Sequence, residues 1–510
     1  MWRYAVALLY CAGLSGCNSC NPAGPAQSHS GAWSQQPVGE LTIGAWQPFG
    51  LSETDPQLMD AAELEDLKFN LIQFNPRQKF AAAVVDVSAP YDSLSGEQLT
   101  ASFIQGTELS MPWYYEPVGF SDHDKLENWA TCNFPEGFVA KCDTLPGYAQ
   151  MVQTIIDSVR EQYRGLNGAL DGLQGYLLMN EIGDRIEYTS DFYSAMSAAI
   201  RVMRSVDPNR PAFVVERIDN FDTRGSAEQF MSHFFATGNP PNVFQHEDYV
   251  FRKNIPLEKE DPPQGGHITV QKQLDSLLDG YDRVCRLVGK FRGRWHAIVQ
   301  AHGEDRPDAP LSAELRKPEP GEIRVQVGLG LSRGASGIVY FVYSSGLEKK
   351  THWTYHGLVD ASGAPADGRY HAVKSINGYL DSISTTMRSL YFHGAISWRE
   401  RDNLPRVGGN DLLRRVETVR DTYDPLDASG AGHLEFVLFG DGMDTSHLLV
   451  VNRRTHVRQK LEIITAKQKV LDAASGDSLA MEVAFVHKFR RDRKFTLELE
   501  PGGFRLLRFE

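Results

Sequence analysis

From residue 40 onward the chain alternates short apolar runs with longer stretches in which apolar residues recur every third or fourth position. The runs at 41–46, 70–74, 108–114, 173–179, 212–218, 243–249, 295–301 and 337–343 predict eight strands. Several are continuously apolar, as strands buried on both faces of a parallel sheet must be. The stretches between them read as helices. Met151, Ile155 and Val159 share one face over 146–164, and Phe192, Met196, Ile200 and Met203 share one over 191–206. Thr189, Ser190 and Asp191 supply N-cap candidates for the second, and Leu274, Leu277, Tyr281 and Val284 mark a third over 270–290. Eight strands alternating with helices over about 300 residues predict an α/β fold, a (β/α)8 TIM barrel. An open doubly wound sheet is the alternative, but no Gly-rich phosphate loop follows any strand; the glycines of 328–337 close a helix that leads into one.

A further helix over 370–390 closes this region. Beyond Trp398 the rhythm changes to strict alternation, at 433–438, 446–451, 459–464, 469–471, 495–500 and 504–509, with turn dipeptides such as Asp441-Gly442 and Gly502-Gly503 between strands. A small antiparallel β-sandwich of about 110 residues is expected to follow the barrel. The predicted organisation is therefore a signal segment (1–17), a tether (18–39), the barrel (40–395) and the sandwich (396–510).

In a barrel of this kind the working groups stand where the strands end, at the C-terminal face. In GYLLMNEIGD the apolar run stops on Asn180-Glu181. The other strand ends give Trp46-Gln47, Asn75, Trp113-Tyr114-Tyr115-Glu116, His246-Glu247-Asp248-Tyr249, Gln300-Ala301-His302-Gly303-Glu304, and Tyr340, Tyr343 and Ser344. Carboxylates and amides hydrogen-bond hydroxyls, and aromatic faces stack on sugar C–H surfaces, so this rim suits a carbohydrate better than a phosphate.

The net charge of −13 argues against a nucleic-acid partner, which needs basic clusters to displace counterions. The basic run 488–493 reads as a solvated hairpin face. At the N-terminus one Arg3 precedes an apolar stretch, 4–14, too short to span a bilayer as a helix and suited to an export signal. Its end, Leu14-Ser15-Gly16-Cys17, resembles the bacterial lipobox, which makes Cys17 the expected lipidation site and 18–39 a flexible tether to the membrane. Cys132 and Cys142 bound a short loop that a disulfide can close in an oxidising compartment, and Cys285 reads as a core residue. No cysteine or histidine spacing calls for a metal, and no cofactor is expected.

Asn180-Glu181 closing strand four resembles the acid/base motif of the retaining (β/α)8 glycoside hydrolases, the beta-galactosidase and cellulase-like clan. The resemblance implies that Asn180 binds a sugar 2-hydroxyl and that Glu181 is the general acid/base. Tyr249 past strand six and an aromatic strand eight followed by Trp353 resemble the same clan, as do the barrel-closing segment GLVDASGAPADGRYHAVKSING and the C-terminal VVNRR, VLDAASGD and LELEPGGFRLLRF stretches. The clan's nucleophilic Glu at the end of strand seven is replaced here by Gln300, an amide that cannot form a glycosyl ester. Glu304 and Glu247 are the replacement candidates. Gln300, Trp46, Trp113, Tyr249 and His302 are expected to contact the ligand. Two readings follow: an exported, lipid-anchored glycosidase, or a glycan-binding surface lipoprotein that keeps the barrel without hydrolysis.

Overall fold

The computed structural model describes residues 38–39, 41–47, 66–74, 107–108, 176–180, 197, 200–201, 204–205, 208–219, 227–236, 241–258, 269–307, 309–348, 352–398, 411–419, 433–442, 444–487 and 490–510. Eight strands form one sheet: β1 (Thr42–Gln47), β2 (Leu71–Phe74), β3 (Thr107–Glu108), β4 (Tyr176–Asn180), β5 (Ala212–Glu216), β6 (Val243–Glu247), β7 (Arg294–Gln300) and, after the short β8 (Gly303–Asp305), β9 (Gly337–Phe341). The spatial order is β2-β1-β9-β7-β6-β5-β4-β3 and every pairing in it is parallel. The first strand therefore lies beside the last, and the two ends of this order, β2 and β3, come close together. Each overlaps one of the eight predicted strands; of the third, expected over 108–114, only Glu108 is described.

Side-chain alternation sorts the sheet's two faces. Trp46, Leu71, Phe213, Val215, Val243, Ile298 and Val339 form one apolar cluster. Their neighbours Ala45, Val214, Phe244, Ala297, Val299 and Ile338 belong to a second, larger core with the helices. The helices described include α1 (Ala227–Phe235), α2 (Val270–Lys290), α3 (Pro320–Leu331) and α4 (Gly368–Arg388). The bounds of α2 match the expectation from the apolar spacing, and Thr269 caps it by accepting from Lys272 N. Only the end of helix α3 was expected, at the glycines of 328–337. Its sequence, PGEIRVQVGLGL, is buried on nearly every side, so it carries no amphipathic period. Its start is written in the sequence all the same: Pro320 opens it, and Glu322 reaches back to the Glu319 amide in a capping box.

Two strands, β10 (Gly346–Glu348) and β11 (Trp353–His356), join β8 in a small antiparallel sheet past the ends of β7 and β9. The C-terminal part has two antiparallel sheets. One runs β12 (Tyr391–Trp398), β14 (Leu434–Gly440), β15 (Thr445–Asn452), β20 (Phe504–Phe509), β17 (Val470–Asp472); the other runs β13 (Arg415–Val419), β16 (Gln459–Thr465), β19 (Arg490–Leu499), β18 (Glu482–His487). Trp398, Phe436, Val450 and Leu507 of the first meet Leu461, Ile463, Phe495 and Leu497 of the second in a common apolar layer. The opposite face of the first sheet, through Phe392, Phe439, Leu449, Val451 and Leu506, joins the core of the helices. Strand β12 straddles the boundary expected at residue 396; it pairs with β14 along its whole length and belongs to the C-terminal sheets.

Buried charge fastens the two parts together. Arg333, just past α3, donates to Asp282 of α2 (2.5 Å), and to Ser397 and Glu435 of the C-terminal sheet (both 3.0 Å). Arg453 pairs with Glu435 (3.4 Å) and with Asp275 of α2. Glu258 receives Thr455 N (2.6 Å) and Thr455 Oγ1 (2.9 Å) and pairs with Arg454 and His456. Burial alone would raise the Glu258 carboxyl; the His456 hydrogen bond, the two cationic neighbours and the Thr455 amide outweigh it and bring it down to about 2. Packing is close at the same seam: a Cβ on Gly321 would stand 1.9 Å from Thr455 O.

Removing one partner from such a buried network leaves a charge unpaired, which costs about 3–5 kcal/mol, whereas an exposed pair contributes under about 1 kcal/mol. Glu435→Gln is expected to lower the unfolding free energy by roughly 3 kcal/mol. Glu498→Gln, which breaks only the exposed pair with Lys460, is expected to leave it within about 0.5 kcal/mol. Urea unfolding of both variants measures the contrast.

Candidate active site

The described rim is built from the ends of β1, β6, β7 and β9 and from the small β8–β11–β10 sheet. Glu247 ends β6 two residues beyond Gln245 and four beyond Val243, which lies in the interior cluster, so the three share the inward face of the strand. It is 4% exposed, and Tyr249 Oη donates to its Oε2 at 3.0 Å. The Tyr249 ring is half-buried against that cluster. It meets His302 edge-on (5.2 Å, 84°) and lies near Phe341 (5.5 Å). His302 in turn packs against Phe341 (4.8 Å) and Tyr355 (5.9 Å). Four rings from four separate segments thus hold one another beside a buried carboxylate. The Phe341–Val342 peptide, at the end of β9, is cis.

His302 Nδ1 lies 2.8 Å from Phe341 O, so Nδ1 carries the proton and donates to that carbonyl. Burial first, then the charges of Arg369 and Arg306, push this imidazole down to about 3 against the opposing pull of the Phe341 carbonyl; it is neutral at physiological pH. Its Nε2 is buried with no hydrogen-bond partner among the described residues.

Gln300 departs from expectation. Its side chain is fully buried. Its Oε1 accepts from Phe251 N (2.9 Å), and its Nε2 donates to Phe251 O (3.1 Å), His302 O (3.3 Å) and Arg316 O (3.0 Å). The amide fastens the segments after β6 and β8 to the end of β7 instead of facing a ligand. Gln326 of α3 grips the same residue's backbone through both Gln300 N and Gln300 O. Arg369 does similar work at the start of α4, donating to Ala301 O, His356 O and Gly357 O. Gly357 must be glycine: a Cβ there would come within 2.6 Å of Tyr343 O.

Glu304 also differs. It is 2% exposed, and Arg306 holds both of its oxygens at 2.8 Å. Arg306 lies 3.8 Å over the Trp353 ring. With both oxygens in a fork-to-fork pair, Glu304 orients Arg306 and Trp353 on the small sheet. Trp46 is 6% exposed and fills the interior cluster against Phe341 instead of offering a face to a ligand. Tyr340 points the other way, donating to Asn377 of α4 (2.8 Å), Tyr343 packs edge-on against Phe69, and Ser344 is buried. His246 faces α2, where its Nε2 abuts Gly280. Asp248 lies 3.5 Å from Arg217, and burial raises its carboxyl against that pairing. Asn180 ends β4 opposite Val215, with only its backbone described. Glu181, Asn75, Trp113–Glu116, Cys17, Cys132 and Cys142 lie outside the described residues. Cys285 is buried, as expected, and burial raises its thiol to about 12.

Solved structures with a similar fold are glycoside hydrolases. A beta-galactosidase from Bacillus circulans sp. alkalophilus aligns with TM-score 0.51 at 8% identity, over 94% of this chain and 100% of its own. A catalytic mutant of a GH42 beta-galactosidase from G. stearothermophilus aligns with TM-score 0.50 at 9% identity, over 94% and 100%. This chain shares its fold with these two enzymes. A GH27 β-L-arabinopyranosidase from Geobacillus stearothermophilus, in complex with arabinose, aligns with TM-score 0.36 at 11% identity, and there the chain spans 62% of the other protein's length. No protein-family model and no curated protein matches the sequence. At identities this low the likeness is one of fold, and the chemistry must be argued from the residues.

Two predictions follow from the rim. Gln300→Glu, which restores the carboxylate that the resembling clan carries on strand seven, would aim that charge at three backbone carbonyls. It is expected to destabilise the fold by about 2–4 kcal/mol and to raise no activity, as measured by urea unfolding and glycoside assay. Second, His246, His296 and His302 are each pushed to about 3, chiefly by burial, so the unfolded chain binds protons that the folded one refuses. The stability this gives is fully present above the ordinary histidine value of 6.5 and is lost as pH falls from there toward 3, at about 1.4 kcal/mol per pH unit for each ring. Urea midpoints between pH 7 and pH 4 are expected to fall accordingly, and His296→Gln to reduce the slope by one proton's worth.

Proposed function

We propose that the chain is a glycoside hydrolase acting on an oligo- or polysaccharide, with Glu181 as general acid/base, Asn180 as ligand of the sugar 2-hydroxyl and Glu247 as the second carboxylate. In this reading the eight-stranded sheet closes into a (β/α)8 barrel and the two C-terminal sheets form a β-sandwich. The observation that carries it is Glu247: a buried carboxylate at the C-terminal end of a central strand, held by the hydroxyl of Tyr249, whose ring packs with His302 and Phe341. Glu304 is the weaker candidate because Arg306 occupies both its oxygens. Strands β4 and β6 have only β5 between them, so their backbones stand about 10 Å apart. Carboxyl groups pointing inward from such positions approach the roughly 5–9.5 Å over which paired carboxylates hydrolyse glycosides. Burial and a neighbouring acid would raise a proton donor such as Glu181 toward neutrality.

The same proposal places the protein outside the cell membrane, lipidated at Cys17, tethered through 18–39 and cross-linked between Cys132 and Cys142. Gln300 supports a second reading. Strand seven offers an amide already committed to the fold, so the barrel can equally serve as a glycan-binding surface protein without hydrolysis.

A panel of aryl glycosides and polysaccharides separates the two. Hydrolysis is expected, and Glu181→Gln and Glu247→Gln are each expected to lower kcat by about 100-fold or more on substrates with poor leaving groups. An unchanged rate in Glu181→Gln removes that residue from the chemistry. Saturable glycan binding with no release of reducing ends establishes the binding protein instead.

A further inference from the structure

We propose that Tyr249 is the nucleophile of this site and that Glu247 is its base. The inference rests on the hydrolase reading above and assigns the step that strand seven cannot perform. Gln300 supplies no carboxylate, and its amide is engaged by Phe251, His302 and Arg316. The nearest inward carboxylate in the described rim, Glu247, is almost sealed at 4% exposed, whereas Tyr249 is only half-buried. A nucleophile must touch the anomeric carbon; its base need only touch the nucleophile. Tyr249 is the more exposed residue of the pair, which accords with a phenol in front and a carboxylate behind, at the 3.0 Å spacing that proton transfer requires. The ring is also held in place, edge-on to His302 and beside Phe341. A nucleophile fixed in this way enters the reaction without loss of conformational freedom. A tyrosine is a known alternative to the usual carboxylate in glycoside hydrolysis.

The step balances without any outside reagent. Tyr249 Oη bonds to the anomeric carbon as the bond from that carbon to the leaving oxygen breaks. The phenolic proton passes to Glu247 Oε2, and Glu181 gives its proton to the leaving oxygen. In the second half Glu181 takes a proton from water, the water oxygen bonds to the anomeric carbon, the aryl ether bond breaks, and Glu247 returns its proton to Tyr249 Oη. Two displacements give net retention of configuration.

The test uses the full-length protein with 2,4-dinitrophenyl glycosides as substrates and the matching 2-deoxy-2-fluoroglycosyl fluorides as trapping reagents. The trapped sugar is expected on the peptide that carries Tyr249, in a linkage that resists hydroxylamine. Tyr249→Phe is expected to abolish labelling and to lower kcat by roughly a thousandfold or more. Glu247→Gln is expected to slow labelling by about 100-fold or more while leaving its position unchanged. A hydroxylamine-sensitive ester on Glu247, turnover with inverted configuration, or a loss of less than tenfold in Tyr249→Phe overturns the proposal while the hydrolase reading stands. Absence of both turnover and labelling across the panel overturns the two together.

Discussion

Glu435 sits at 0% exposure between two arginines, Arg333 and Arg453, that reach it from opposite parts of the chain. None of these charges tolerates burial alone, so each must find the others before any of them can leave water. That requirement fixes more than one contact. Arg333 stands at the exit of α3 and binds α2 through Asp282, and Arg453 binds α2 again through Asp275. Setting the C-terminal sheet against these arginines therefore also sets the two helices that pack on β7, and through α3 the residue that grips Gln300. The rim inherits its geometry from a salt network on the far side of the helices.

Within the rim, polar side chains divide between holding and acting. Gln300, Arg369 and Glu304 hold: every hydrogen bond found for them joins one segment of the mouth to another or orients a neighbour. Glu247, Tyr249 and His302 differ in that each presents a group with chemistry of its own beside aromatic walls. A fold of this class ordinarily distributes its chemistry over the ends of several strands. Here strand seven has taken a mechanical duty, and the buried carboxylate of Glu247 lies one strand over.

Strand β5 was legible because burial on both faces leaves an unbroken apolar run, Ala212 to Val215, and α2 because one face alone is buried. Helix α3 was legible only at its glycine-rich end: covered by β7 on one side and by β15 and β20 on the other, it has no wet face to mark its period. Strands β8, β10 and β11 are three or four residues long, too short for alternation to register. Strand β12 follows the 370–390 helix so closely that its pattern merges with the helix end. At the site, Glu247 could be read from its place after a strand. The role of Gln300 could not, because its partners Phe251 and Arg316 lie 49 and 16 residues away and contribute backbone atoms, which leave no trace in residue type. Trp46 was ambiguous for a related reason: an aromatic at a strand end can fill the interior as well as line the mouth, and alternation does not distinguish the two.

The neighbour relation of β1 and β9 bears on how the molecule comes into being. Thr42 pairs with Gly337, so β1, the first of the described strands, waits for about 300 residues before this partner exists. Until then one long edge of β1 stays open, and no local contact can stand in for the missing strand. Completion of the sheet is a late and nonlocal event, slow by the same logic that makes distant contacts slow in general.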